Sequence, residues 1–551
     1  MKPNADYSEM KSQSIAARFI LDRRWQAGAI AILLLFLLWI CLSSARHTTL
    51  TYDEADHYKY GLQILSLNSD RFDDSKMPFS ALNALPGKAA EYLPQGQLRT
   101  YLAKITTGRI ATMLFALLVA YFVYRWSRLL YGVIPGLFSL LLYVLEPNLI
   151  AHSRFVTTDL YAAGMVLISI YALWRYSQER TLKAALGFAF VLGIAQLAKY
   201  TSIFLYPLSV VLLLGHDLPR LLVWVKERET PHLLRYLGQT AGLFLLVLVI
   251  SVLVINAGFL FNRTFTPLGD YKFESGLFQQ LQENEILADL PVSLPYPYLE
   301  GLDLVRYRER SGFGYGKIYL LGDLRSGEGF PVYYLVAWLF KVPLAIQLAF
   351  LFSIIVYVWK WKKHNFLENE WFLFAPLLFF SLYFNLFYQA QIGIRYFLVI
   401  FPFVLIFCGN LLVGWESFSK ARWVATVSLV AYLAISVFSY YPNFIPYFNE
   451  LVLDRKMAYK ILADSNLEWG QADGYVEDYL TAHPLAILNP EEPAAGTLVI
   501  SPNNLLGISA KPVTYAWLRD NFEPVGTIAN SYLIFDISQE QLNGIKGLRN
   551  K

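Results

Sequence analysis

The chain has 551 residues, of which 56% are hydrophobic and 16% charged. A soluble chain of this size would carry roughly 25% charged residues, so a soluble fold is excluded and an α-helical polytopic membrane protein is expected. The net charge of +4 gives no reason to expect a nucleic-acid partner, and the 16% aromatic content suits belts of Trp and Tyr at membrane interfaces.

In chain order, a basic N-terminal tail (1–26, with Lys11, Arg18, Arg23 and Arg24) precedes an uncharged run at 27–45. That run exceeds the roughly 7–15 residues of a signal-peptide core, so it reads as a retained span. Next comes "TYDEADHYKY" (51–60), whose D-E-A-D letters would hold magnesium on ATP in an RNA helicase. Such an enzyme needs a phosphate loop ending in G-K-S/T, but Gly87-Lys88 and Gly316-Lys317 are followed by Ala89 and Ile318. A different role is needed for carboxylates just outside a membrane helix. On a helix, Asp53, Asp56 and His57 share one face and Glu54 lies about a quarter turn away. Three readings are open: a general base acting on an acceptor hydroxyl, a solvated first helical turn, or a metal trio whose spacing is common by chance.

Further apolar runs lie at 108–124, 131–150, 159–174, 184–198, 201–215, 237–261, 331–359, 371–388, 393–415 and 423–440, giving about eleven spans. With the N-terminus inside, the short inner segments hold about nineteen Lys and Arg against about three in the short outer turns, as the positive-inside rule expects. Loops 46–107 and 262–330 then lie outside, within a membrane domain spanning 27–441. Segment 442–551 is read as a small extracytoplasmic α/β domain, with a helix in "WGQADGYVEDYL" and strands in "GTLVIS" and "NSYLIFDIS". Cys41 and Cys408 sit in apolar runs and supply no disulfide framework.

A second outer turn, "EPNLIAHSRFVTTDLY" (146–161), brings Glu146, His152, Arg154 and Asp159 to the same side as Asp53. Asp159 also suits a helix cap, and His152 a local hydrogen bond. Four cations collect on that rim as well: Arg109, Lys199, Arg395 and Lys341. In one straight helix over 331–359, Lys341 would be about 15 Å deep, where a charge costs several kcal/mol. Pro343 predicts a break instead, with 331–340 along the interface and the span beginning near Val342. Snorkelling to headgroups is the plain reading of each cation; together, beside carboxylates, they suit an anionic lipid headgroup.

The ordered set of these segments resembles the GT-C membrane glycosyltransferases, specifically glycosyltransferase family 39 and its bacterial relatives, which include protein O-mannosyltransferases and aminoarabinose transferases. The resemblance is carried by Asp53-Glu54, "HSRFVTTDLY" ending in Asp159, "YLLGDLRSGEGFPVYYLVAWLFKVPL" (319–344), "GIRYFLVIFPF", and "YYPNFIPYFNE" followed by "ADSNLEWGQ" (463–471). Two departures stand out. Glu468 replaces the usual Asp, and the C-terminal domain is unlike the sugar-binding module of eukaryotic mannosyltransferases.

Membership implies a hexose, such as mannose, moved from a polyprenyl-phosphate donor to an acceptor hydroxyl with inversion, and no metal or other cofactor required. It implies Asp53 as base and Glu54 as an orienting group. Arg395 and Lys341, with Lys199 and Arg109 behind them, would serve the phosphate. Asp159, His152, Arg154, Asp56 and His57 would serve sugar or acceptor, and Asp464, Asn466, Glu468, Trp469 and Gln471 form a motif of unassigned role. The acceptor is a protein, a glycolipid or a polysaccharide, and the site faces the periplasm in a Gram-negative inner membrane. A transporter or flippase of a lipid-linked sugar is the competing reading. It would place charges near the midplane on broken helices, whereas here they gather on one rim.

Overall fold

The computed structural model describes residues 23–312, 316–360 and 365–549. Of the residues in the charge count, Lys2, Lys11, Arg18, Lys362 and Lys363 lie outside the described ones. All eleven apolar runs fall on α- or 3₁₀-helices. Among the described residues six helices are long and apolar enough to cross a membrane: Arg23–Ala45, Ile105–Tyr131, Tyr200–Lys226, Thr230–Gly258, Ile394–Leu412 and Lys420–Phe438. A seventh span arises if Tyr333–Lys341 and Leu344–Trp359, bent by 108° at Val342-Pro343, count together. This is the break that Pro343 predicts, because its ring and missing N–H interrupt the helical ladder.

By length and composition the count is therefore six or seven rather than about eleven. Val133–Val144, Leu182–Ala195 and Trp371–Leu386 have 12, 14 and 16 residues, or about 18–24 Å against a hydrocarbon core of about 30 Å. Helix Asp159–Glu179 has another role. Every residue from Asp159 to Tyr171 is buried, and the helix packs against Arg109–Tyr131, Leu182–Ala195 and the 3₁₀ segment Ile394–Ile400. A helix apolar all round belongs in the middle of a bundle. That position brings Asp159, at its first turn, together with Arg395.

The second long loop carries a hairpin of β1 (Lys317–Leu320) and β2 (Asp323–Ser326), and the C-terminal segment adds β3 (Ile487–Leu488), β4 (Gly496–Ile500), β5 (Gly526–Ile528) and β6 (Tyr532–Ile537), which form a mixed sheet in the order β3-β4-β6-β5. Strand β4 is antiparallel to β6, with Gly496 opposite Ile537 and Ile500 opposite Leu533. Leu533, Phe535 and Ile537 are buried on alternate positions while Asp536 is exposed, the period expected of a half-buried strand. Helix Asp473–Ala482 and strands β4 and β6 match the sequence expectation. β3 and β5 have two and three residues, too few to show a pattern. Leu498, Ile500 and Phe535 belong to the same hydrophobic core as Phe448, Trp469 and the helices of the bundle. The sheet is thus continuous with the membrane domain rather than separate from it.

Candidate active site

A charged cavity of about 220 Å³ opens at the end of the bundle that carries the long loops and the C-terminal sheet. Its wall includes Asp53, His57, Asp159, Lys199 and Arg395. Asp53 sits at the N-cap of helix Glu54–Leu65, but its side chain makes no capping hydrogen bond. The carboxylate instead accepts from Arg395 Nη1 at 2.5 Å. The same Nη1 lies 3.8 Å from Asp159 Oδ2, and Lys199 Nζ donates to Asp159 Oδ1 at 2.6 Å. Cations and carboxylates therefore alternate along the wall in the order Asp53, Arg395, Asp159, Lys199.

Each group is set by its local backbone. Asp159 occupies the first turn of its helix, where the positive end of the helix dipole favours a carboxylate. Lys199 is in extended conformation at the turn before the 3₁₀ segment Tyr200–Phe204, and its ammonium lies 3.9 Å from the Tyr396 ring centroid. Arg395 follows Gly393, whose φ of +118° suits glycine alone. A Cβ there would also collide with Ser465.

Burial alone would raise the Asp53 pKa, but the charges of Arg395 and Lys76 prevail and hold it below the ordinary carboxylate range. Burial draws the Lys199 pKa down against the pull of Asp159. Burial also takes His57 down to about 3, so at neutral pH it is an uncharged wall residue, its Nδ1 3.0 Å from Ser80 Oγ.

The remaining expected site residues lie elsewhere. Glu54, placed by the resemblance beside acceptor or sugar, is fully buried and saturated. It takes Arg109 Nε and Nη2 at 2.8 and 2.7 Å and the amides of Thr51 and Val156 at 2.8 and 3.0 Å. It braces the base of the loop and does not line the cavity. Arg109, expected at the phosphate, is spent on Glu54 and on Thr48 and Thr49. Lys341, a leading phosphate candidate, is 1% exposed; its ammonium donates to the carbonyls of Ile445 and Asn466 at 2.6 and 2.7 Å. It pins the C-terminal segment to the helix break. His152 is buried against Trp469, and burial lowers its pKa to about 3. Arg154 is buried between the rings of Phe155 and Phe444. Neither reaches the cavity. Asp56 is exposed while His57 is buried, so the metal trio does not assemble; among the described residues no group of three or more His, Cys, Asp or Glu could hold a metal ion.

The 464–471 motif forms a seam behind the cavity. Asn466 Oδ1 accepts from the Ile394 amide at 3.1 Å. Glu468 accepts from the Gly470 amide at 2.6 Å and from Asn503 at 3.0 Å. Gln471 accepts from the Trp469 amide at 2.6 Å. Burial raises the Asp464 carboxyl to about 6.

Sequence reading missed Lys76, Arg308 and Glu309, which also line the cavity. Arg308 lies on helix Tyr296–Ser311 of the second long loop and reaches Ser75 Oγ of the first at 3.1 Å. Burial lifts its neighbour Glu309 to about 7. They sit among many loop charges, and no spacing sets them apart.

A family model described as dolichyl-phosphate-mannose-protein mannosyltransferase matches residues 97–255, which include Asp159 and Lys199 of the cavity wall. The class that follows is a membrane glycosyltransferase that uses a lipid-phosphate-linked sugar donor. The matched segment is under a third of the chain, and it is this segment that resembles the dolichyl-phosphate-mannose-protein mannosyltransferase family. No curated protein matches it.

Among solved structures it is similar to ArnT from Cupriavidus metallidurans bound to undecaprenyl phosphate, at 13% identity and TM-score 0.45 over 92% of this chain and 97% of that one. It is similar also to the Archaeoglobus fulgidus oligosaccharyltransferase in the apo form, at 13% identity and TM-score 0.47 over 77% and 55%. A third is AglB from the same organism in complex with an inhibitory peptide and a dolichol-phosphate, at 12% identity and TM-score 0.45 over 83% and 59%. None of the three reaches a TM-score of 0.5.

Proposed function

We propose that this chain is an inverting GT-C-type transferase that moves a hexose from a polyprenyl monophosphate to an acceptor hydroxyl at the extracytoplasmic rim, with Asp53 as the base. The observation that carries this reading is the alternation of Asp53, Arg395, Asp159 and Lys199 along one cavity wall. The leaving monophosphate gains a second negative charge as the bond breaks and needs fixed positive partners where that charge develops; of the cations lining the cavity, Arg395 and Lys199 are the two within this alternation. The acceptor oxygen attacks the anomeric carbon from the face opposite the phosphate. The bond from that carbon to the phosphate oxygen breaks, the acceptor proton passes to Asp53, and polyprenyl phosphate leaves with the bonding pair. Asp159, held by Lys199, accepts from sugar hydroxyls. Two protein cations answer the leaving-group charge, so the step is written without a metal; transfer undiminished by EDTA tests that point.

Asp53 makes a stronger base once a bound donor phosphate shares the Arg395 charge, because the contact that depresses its pKa is then divided. The test is transfer in liposomes from radiolabelled polyprenyl-phosphate hexoses to a cell-envelope fraction. Asp53→Asn should reduce kcat by about a hundredfold or more while donor binding persists. Wild-type rate in that variant would remove Asp53 from the role. A chain that transfers no donor yet carries labelled lipid across the bilayer would be a transporter.

A further inference from the structure

The 468–471 segment holds both members of the Asp53–Arg395 pair. On one side, the Arg395 guanidinium carbon lies 4.2 Å from the centroid of the Trp469 ring, and Trp469 is itself 3% exposed, packed on His152 and Phe155. Arg395 Nε has no hydrogen-bond partner among the described residues. A guanidinium held through Nη1 alone is free to swing about that atom. The flat indole face removes this freedom, because the ring's negative face attracts the cation in a site from which water is excluded.

On the other side, the same few residues grip the backbone just ahead of Asp53. The Thr49 amide donates to the Gln471 carbonyl at 3.2 Å and the Tyr52 amide to the Trp469 carbonyl at 3.1 Å; Thr49 Oγ1 donates to the Gly470 carbonyl at 2.5 Å. Gly470 turns at φ +89°, and Glu468, fastened to Ser501 and Asn503 of the C-terminal domain, holds that turn through the Gly470 amide.

We propose that Trp469 is a positioning residue: with the 469–471 backbone it sets the distance and plane of Arg395 relative to Asp53, and so passes the placement of the C-terminal domain to the base. The proposal rests on the transferase reading for its kinetic consequence only. The groups that face Asp53 are Arg395, Lys76, His57, Lys199 and Asp464; of these, Arg395 is the one seated on Trp469.

The experiment compares wild type, Trp469→Phe and Trp469→Leu in two ways: kcat and donor KM for polyprenyl-phosphate hexose, and an infrared titration of the Asp53 carboxylate by difference against Asp53→Asn. Trp469→Phe keeps an aromatic face and should keep at least about a third of kcat. Trp469→Leu should lose about tenfold in kcat and raise the Asp53 titration midpoint by about one pH unit, the change expected when roughly 1.4 kcal/mol of cation contact is lost.

An unmoved midpoint in folded Trp469→Leu overturns the proposal, as does an equal loss in both variants with the midpoint unmoved. The infrared reading needs no turnover. A wild type inactive with every polyprenyl-phosphate sugar would therefore remove the transferase reading and still leave the positioning decided by the midpoint. Should Trp469→Leu fail to fold, Trp469→His, an aromatic ring of smaller face, gives the same comparison with the same two outcomes.

Discussion

Glu54 and Arg109 meet in a two-pronged ion pair, 2.8 and 2.7 Å, with side-chain exposures of 0% and 2%. Two neighbouring carboxylates of one motif thus have opposite fates. Asp53 faces a cavity, and Glu54 is locked into the wall beneath it.

Glu54→Gln should accordingly behave as a stability variant. Removing one partner of a buried pair costs about 3–5 kcal/mol, which chemical denaturation in detergent would show as a lower midpoint. The surviving folded fraction should keep the wild-type KM for donor. A thermally intact Glu54→Gln with a hundredfold loss of kcat would return Glu54 to the chemistry.

Lys341→Met tests a different expectation. The substitution leaves the Ile445 and Asn466 carbonyls without their donor, at a cost of about 1–3 kcal/mol for each buried group left unmet. Differential scanning fluorimetry should show the loss, while undecaprenyl phosphate affinity per folded molecule stays within about twofold. A selective fall in that affinity would show that the lysine does serve the phosphate.

Lys199→Met should weaken polyprenyl phosphate binding by about tenfold, or roughly 1.4 kcal/mol, measured by equilibrium binding in nanodiscs. The wild-type affinity should also fall on raising the pH through the Lys199 titration, which burial brings below that of a free lysine. Unchanged affinity in the variant would remove Lys199 from the phosphate site and leave that role to Arg395 and the other cavity cations, Lys76 and Arg308.

The pH profile has a definite sign. Arg395 favours the ionised form of Asp53, so the stabilisation from their contact is complete above the ordinary carboxylate pKa near 3.9. It is lost as pH falls through the depressed folded value. The acid limb of kcat/KM that belongs to Asp53 should lie below about pH 4 in the wild type. In Arg395→Gln, burial goes unopposed by its strongest cation and the limb should shift upward. A limb that does not move between the two would dissociate the pair.

How far the sequence reached can be traced residue by residue. The apolar runs showed as helices because periodicity and length are local properties, and the break at Pro343 followed from the energetic cost of a buried Lys341. Asp53, Asp159, Lys199 and Arg395 converge as expected from their shared side of the membrane. The difference between Asp53 and Glu54 was not legible, because it depends on Arg109, 55 positions away, occupying one carboxylate and not the other. The same holds for Lys341: its height at the rim was inferable, but the two carbonyls that capture it come from residues 445 and 466. The short helices that reduce the span count look like any other apolar run until their ends are seen.

The contact between Thr49 and Gly470 joins residues 421 positions apart. During synthesis at about 5–20 residues per second, the first loop therefore waits roughly 20–80 s for its partner to be made. Through that interval the strand leading to Asp53 has no seam to dock on and the indole beneath Arg395 does not yet exist. Helices can be inserted one by one as they emerge, but the cavity wall is completed only near the end of translation. An unfinished chain is thereby kept from holding Asp53 and Arg395 in register.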